Sequence, residues 1–503
     1  MVVKHSILIR SCLAALLIVA GDCTWSNNSD QPLIPLKEGA IPVNVTDLHF
    51  GDVLYQYYQD HSFDSLVRLL AYSETGRLPA QKADAELLEA GIWLELGLHQ
   101  KATQYLERIL VSSIPESKKQ IARMFLARMW YRRGDDEKTV NLLEQMKDGL
   151  SAAMEAERVH LLSNALIHQG RYAAAADLLR SWNGSGDWVY YARFNLGVAL
   201  LRDRQIEAGT SFLDELGKLS STRIELLNLR DRANLALGFA LLDVSKTSDA
   251  QTYFRRVRLA GPYATRAMLG SGWADTLQGK YREALTPWLA LYEKKPIDTA
   301  VLESLISVPH LYEALGAPAQ AAEHYEIAIS LLKQERAVIG RALDGVVITD
   351  HFEQLLLKSE DQGMDVWLDE LRSHPESPEA RYLYEVFAGP DFQEGIKIYR
   401  ETRYLANVVQ SWRVALDLNR EATSVKSSDS ILSRIKADED RYEVLVKQIA
   451  NTQRIQLRYL SDLVARGLQA QQSAIDDYIG EAHFQLAKIY DQAGLRPDAK
   501  GQK

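Results

Sequence analysis

One turn signature recurs along much of this chain, and its spacing limits the available folds more than any other feature. Glycine or a substitute interrupts helix-forming runs at Gly97, Gly134, Gly170, Arg204, Ser245, Gly279 and Gly316, at spacings of 37, 36, 34, 41, 34 and 37 residues. Five residues past each turn stands a small side chain: Ala102, Thr139, Ala175, Gly209, Ala250, Ala284 and Ala321. Nine residues past it stands a large apolar one: Leu106, Leu143, Leu179, Leu213, Phe254, Trp288 and Tyr325. Twelve past it come Ile109, Met146, Trp182, Leu216, Val257, Leu291 and Ala328. These offsets share one face of an α-helix. A small residue lets that helix approach a neighbour, and the large ones fill the space beyond. Upstream of the turns a second helix carries its own small and apolar pairs, best seen at Leu196-Gly197, Leu237-Gly238 and Ser271-Gly272, while Pro262 and Pro296 punctuate the exits. A helix pair of this length cannot bury its apolar face alone, so the period predicts a stacked helical solenoid.

Composition agrees and excludes several alternatives. Hydrophobic residues make up 47% and charged residues 25% of the 503-residue chain, as in average soluble proteins. That balance argues against wholesale disorder and against a polytopic membrane protein. Alternating β-branched runs bounded by turn dipeptides are absent, so an all-α fold is expected. The net charge is −9, from 58 basic and 67 acidic residues. A nucleic-acid binder would carry a basic surplus to neutralise phosphates, and no nucleic-acid partner is expected.

The repeated motifs resemble tetratricopeptide repeats (TPRs). Units from Ala83 to Lys333 carry the resemblance, and a weaker unit at Asp47 to Ser73 precedes them. The resemblance implies an all-α, right-handed TPR superhelical solenoid, followed here by a C-terminal long-helix region. The array is expected over residues 47–335, with about eight units, then a connecting helical segment at 336–380. Arg204 and Ser245 depart from the pattern by replacing the turn glycine, and the unit between them carries extra residues near Ser220 to Ile224. Pro287 and Pro309 fall inside expected helices and should bend them or remove a backbone bond. Residues 381–503 read as a C-terminal helical region. Helices are expected from Glu379 to Ala388 and from Asp391 to Leu418, followed by a polar break at Ser424 to Ser430. The proline-free stretch Asp440 to Gly494 could be one long helix or a helical hairpin hinged near Gly467, and its drifting spacing favours packing onto the array over a coiled coil. A partial repeat (GEAHFQLAKIYDQAG) ends it, with Leu495 to Lys503 as a solvating cap.

The first residues read as a targeting segment. Lys4 and Arg10 precede a short apolar core, Leu13 to Ala20, and Val19-Ala20-Gly21 supplies small residues suited to cleavage. A signal peptide over residues 1–21 and a proline-containing tether over 22–46 are therefore expected, with export to the periplasm or cell envelope. Cys23 could carry a lipid anchor, although Asp22 stands where lipoprotein signals place a small residue. Any membrane association is expected through this N-terminus or a partner.

Chemistry-bearing motifs are sparse. There is no HExxH, no CxxC and no phosphate loop, so no catalytic residue, metal site or cofactor is expected. His160 and His168 lie two helical turns apart and read as ordinary groove histidines. Asn44-Val45-Thr46 and Asn183-Gly184-Ser185 match glycan acceptors, which matters only in a eukaryotic secretory host. The TPR resemblance implies that the first helix of each pair lines the concave surface. Projected onto it, Arg128, Tyr131, Arg132, His160, Asn164, His168, Tyr191, Phe194, Arg202, Arg232, Phe239, Arg266 and Trp273 face a groove. Arginine and aromatic residues dominate binding hot spots, so these positions suit an extended peptide or acidic segment of a partner protein. The expected function is a non-catalytic scaffold of the bacterial envelope. An anchored component of a secretion or polysaccharide-export assembly is the alternative. A solenoid glycan-cleaving enzyme would need a catalytic carboxylate that no segment nominates.

Overall fold

The computed structural model describes residues 45–59, 61–96, 98–146, 149–294, 298–347, 353, 356, 379–423 and 429–492. The signal segment, nearly all of the tether, Gly97, Pro296, most of the connecting segment, the break at 424–428 and the terminal cap lie outside the described residues. So do Cys12, Cys23 and Asn44.

Among the described residues the secondary structure is helical, with no strand. The helices are α1 (Leu48–Tyr58), α2 (Ser62–Glu74), α3 (Lys82–Glu95), α4 (His99–Val111), α5 (Glu116–Arg132), α6 (Asp136–Glu144), α7 (Ala152–His168), α8 (Tyr172–Ser181), α9 (Trp188–Arg202) and α10 (Ile206–Gly217). They continue as α11 (Ile224–Asp243), α12 (Thr247–Arg256), α13 (Ala264–Leu277), α14 (Tyr281–Tyr292), α15 (Thr299–Ala314) and α16 (Pro318–Val347). The last are α17 (Ala380–Phe387), α18 (Pro390–Thr423) and α19 (Asp429–Gln492). The fold is a TPR-type helical solenoid with a long C-terminal helix.

Contacts divide the chain into two units. One holds described residues 123–337 and 473–492; the other holds 45–122 and the described parts of 338–472. The boundaries fall inside α5, α16 and α19, whereas the sequence reading expects one array ending at residue 335.

In the first unit the repeat register has a direct structural cause. Gly134, Gly170, Arg204, Ser245, Gly279 and Gly316 all sit at positive φ, between 60° and 74°. Each closes its helix with the same two bonds. At Gly279, for example, the Gly279 N–H donates to Thr276 O (3.0 Å) and the Lys280 N–H to Asp275 O (2.9 Å). That pairing satisfies carbonyls that a helix end would otherwise orphan. Arg204 and Ser245 hold the same left-handed turn at φ 63° and 60°, a conformation that costs an L-residue about 1–2 kcal/mol.

Beyond each turn the small residues Ala175, Ala250, Ala284 and Ala321 are fully buried, and so are Leu213, Trp288 and Tyr325 at the large position. Glycines on the preceding helices make room. The Phe254 ring lies between α11 and α13, where a Cβ on Gly238 or on Gly270 would come within 2.4 Å of it. The Trp288 indole lies against Gly272, whose Cβ would fall 2.0 Å from Nε1, and it donates to Leu269 O at 3.0 Å. Each first helix also touches the first helix of the next pair, from α7 through α9, α11 and α13 to α15. Pro287 and Pro309 both lie inside their helices, α14 and α15. The longer interval, from Arg204 to Ser245, appears as a 20-residue α11. Within it, fully buried Asp231 accepts from Arg230 (3.1 Å) and Arg258 (2.6 Å).

The end of α19 closes this unit. Ala482, Leu486 and Ile489 pack on Ala321, Ala322, Tyr325 and Ile329 of α16, and Arg336 pairs with Asp476 at 2.6 Å. α19 is a single 64-residue helix that passes through Gly467 without a turn, so the hinge considered there does not form.

The second unit is built differently. α1 and α2 are joined by Arg68 on Asp52 (2.7 Å) and by Ser65 Oγ on Val53 O (3.0 Å). His99 of α4 meets Glu394 of α18 at 2.9 Å, and Phe63 meets Tyr404 edge-on at 6.0 Å. A Cβ on Gly467 of α19 would fall 2.6 Å from Val386 of α17, and one on Gly395 of α18 would fall 2.7 Å from Leu460.

Candidate functional site

All thirteen groove residues lie on the first helices of the first unit, but the structure sorts them into distinct environments. Phe194 and Phe239 are buried, at 1% and 3% exposure, in apolar clusters between helix pairs. Phe239 meets Phe254 edge-on at 5.0 Å. These two rings are core and present no surface to a partner. Helical projection cannot separate a groove position from an inter-helix position one step round the same helix.

The rest form a centre and two flanks. At the centre, α7 contributes His160 and Asn164, and α9 contributes Tyr191. The His160 Nε2 lies 3.2 Å from Asn164 Nδ2, and Asn164 Oδ1 accepts from Asn195 Nδ2 at 2.8 Å. Asn195 also donates to Ser163 Oγ at 3.2 Å. His160, Asn164 and Asn195 are all buried, and the two amides are paired across adjacent repeats, whereas the buried His160 Nδ1 has no hydrogen-bond partner. Above it the His160 ring lies 5.4 Å from Trp188 and 6.2 Å from Tyr191. Burial, aided by the nearby Arg232 charge, pushes the His160 imidazole down to about 4. The ring is therefore neutral at physiological pH. Arg232 itself lies over the Phe194 ring, 4.8 Å from its centroid, so the buried phenylalanine serves as the platform for a half-buried cation.

On one flank, Tyr131 of α5 stacks on His168 of α7 (6.0 Å, 11°), and His168 Nδ1 lies 3.2 Å from Asp136. Arg128 is held there by both oxygens of Glu157, at 2.5 Å each. That bidentate pairing cancels its charge locally, so Arg128 does not add positive character to the groove. On the other flank, Trp273 of α13 donates to Glu303 of α15 at 2.7 Å and meets Trp288 edge-on at 4.9 Å.

The remaining arginines stand at different heights. Arg132 and Arg202 are the last residues of α5 and α9, while Arg266 is the third residue of α13. First helices run in one direction, because one returning helix separates each from the next. At about 1.5 Å per residue, Arg202 and Arg266 thus lie toward opposite edges of the groove. They do not form one cationic stripe.

Trp188 and Asn195 belong to the centre and escape a sequence reading. Trp188 opens α9 right after a loop, and Asn195 hides in the apolar run FNLGVALL. Their spacings from Tyr191, three residues back and four forward, were the available signal.

Among the described residues no group of three or more His, Cys, Asp or Glu could hold a metal ion, and no helix is long and apolar enough to cross a membrane. Two surface depressions, of about 620 and 380 Å³, lie on α4 and between α10 and α12, and none of the thirteen residues lines them.

No protein-family profile matches the chain, and no curated protein is detectably similar to it in sequence. Among solved structures it is similar to the apo form of RapI, with 11% identity, a TM-score of 0.41, and coverage of 65% of this chain and 98% of that one. It is likewise similar to the apo quorum sensor NprR from B. thuringiensis, with 14% identity, a TM-score of 0.33, and coverage of 74% and 99%. A third, the APC/C hetero-tetramer Cut9-Hcn1, gives 12% identity, a TM-score of 0.26, and coverage of 80% and 95%.

Proposed function

We propose that this tetratricopeptide-like solenoid is a non-catalytic scaffold whose first-helix groove receives an extended acidic segment of a partner protein. One observation carries the reading: half-buried Trp188 and Tyr191 converge with Arg232 over a buried, hydrogen-bonded floor of His160, Asn164 and Asn195. Aromatic rings and arginine in a partly desolvated setting are the residue types that concentrate binding energy. The Arg232 charge acts on neutral His160, so the centre carries positive potential, which favours an anionic side chain over a cationic one. The buried floor holds the rings above it in place, so they bind at little ordering cost.

The setting we propose is the cell envelope, supported by the order of charge, short apolar core and small residues in positions 1–21. Fractionating cells that carry wild type or Cys23→Ser tests the anchored alternative. Release of the variant from membranes supports anchoring through that thiol, and unchanged partition removes it.

The binding role is tested by affinity capture from the native host with the full chain as bait. The triple variant Trp188→Ala, Tyr191→Ala, Arg232→Ala should lose the partner, with at least about tenfold weaker capture. Circular dichroism checks that the variant is folded. Undiminished capture by a folded triple variant would overturn the groove reading.

A further inference from the structure

The loop between α8 and α9, residues 182–187, carries the chain's single Asn-Gly step, Asn183-Gly184. Asn183 is exposed, and among the described residues neither it nor Gly184 makes a hydrogen bond. Gly184 is held by a different constraint. A Cβ there would fall 1.7 Å from Cζ2 of Trp182, whose ring packs against the core of the neighbouring repeats. The indole takes the place a side chain would fill, so glycine is demanded at 184 and packing itself fixes the Asn-Gly step.

We infer that Asn183 is a site of spontaneous covalent conversion to aspartate and isoaspartate. The Gly184 amide nitrogen attacks Cγ of Asn183. A new N–C bond forms, that nitrogen gives up its proton, and the side-chain nitrogen departs as ammonia, leaving a cyclic succinimide. Water then opens the ring at either carbonyl. Opening at one restores the backbone as aspartate, and opening at the other leaves isoaspartate, with an added methylene in the main chain. The balance is one water consumed and one ammonia released, with no oxidant, reductant or enzyme.

The other described asparagines of this unit show why the reaction is selective. Asn141, Asn164, Asn195, Asn228 and Asn234 lie inside α6, α7, α9 and α11, where the following N–H belongs to a helix, and all but exposed Asn141 have an engaged side-chain amide, as in Asn234 donating to Gly217 O at 2.9 Å. Each is followed by Ala or Leu. An exposed loop lacks both restraints. Conversion adds a negative charge to the loop that leads into Trp188 and also holds Asp187, which pairs with Arg223 at 2.8 Å.

The test is timed incubation of the purified full chain at mildly alkaline pH, followed by peptide mapping with mass spectrometry and an isoaspartate-specific assay. The peptide holding Asn183 should be the first to gain the mass of an amide-to-acid change, with isoaspartate in excess, while those holding Asn164, Asn195 and Asn234 stay unchanged. Asn183→Gln should abolish the gain in that peptide. A short free peptide spanning Ser181 to Asp187 gives the intrinsic rate. If that peptide converts fully while Asn183 in the folded chain stays intact, the inference is overturned. Earlier conversion at any helical asparagine also overturns it.

Discussion

The repeats from α7 to α14 and the long helix α19 are both helical, yet they are specified in different ways. In the repeats, each turn forces a left-handed residue, and each following helix sets a small and then a large side chain against a neighbour with matching gaps. The Phe254 and Trp288 rings occupy the notches left by Gly238, Gly270 and Gly272. α19 has no such internal rule. Its fixed points are scattered: Leu460 near Gly395, Gly467 near Val386, and Ala482 against Tyr325. Repetition makes structure local and therefore readable, whereas a long helix takes its place from partners distant in sequence.

Four experiments bear on that contrast. The largest effect is expected from Trp288→Ala, which empties a fully buried site between α13 and α14 and should cost about 3–5 kcal/mol in urea denaturation. A loss below about 1 kcal/mol would mean that the large position of the register is not what holds the repeats together.

Acid comes next. The folded-state value of His160 lies below its unfolded value, so below the usual histidine range the unfolded chain takes up a proton that the folded chain refuses. Stability should be complete near neutrality and fall as pH drops from about 6.5 to about 4, by up to ~3 kcal/mol. His160→Gln should flatten that part of the profile. An identical acid slope in the variant would place the sensitivity elsewhere.

Two glycines then offer a contrast in sign. Gly272→Ala drives a methyl into the Trp288 indole and should cost about 1–3 kcal/mol, because a buried ring cannot swing away. Gly480→Ala, on an exposed face of α19 with nothing within 4 Å, should gain about 0.5–1 kcal/mol from helix propensity alone. Equal signs would erase the distinction between a notched array and a plain helix.

The smallest effect tests the turns. Ser245→Gly should raise stability by up to ~1 kcal/mol, since it removes left-handed strain at φ 60° and gives back part of the gain as chain entropy. Destabilisation would mean that the Ser245 side chain contributes something beyond the turn.

Much of the array was legible because its constraints repeat. Even the two non-glycine turns, Arg204 and Ser245, could be placed by counting, and both adopt the left-handed geometry of their glycine equivalents. The groove was only partly legible. The thirteen positions could be placed on first helices, but Phe194 and Phe239 differ from Tyr191 and Trp273 by small rotations that decide between core and surface. The pairing of Arg128 with Glu157 depends on a residue one repeat away, and no local pattern announces it. The continuity of α19 through Gly467 was likewise open in the sequence, because a lone glycine in a helical run is compatible with a hinge or a straight helix.

A partner held in the first-helix groove should lie over Tyr191. A photo-crosslinking residue placed at Tyr191, and in a separate chain at exposed Thr252 on the second helix α12, tests this directly in the native host. A discrete adduct at Tyr191 with none at Thr252 is the predicted result. Crosslinking confined to Thr252, or equal at both positions, would contradict it.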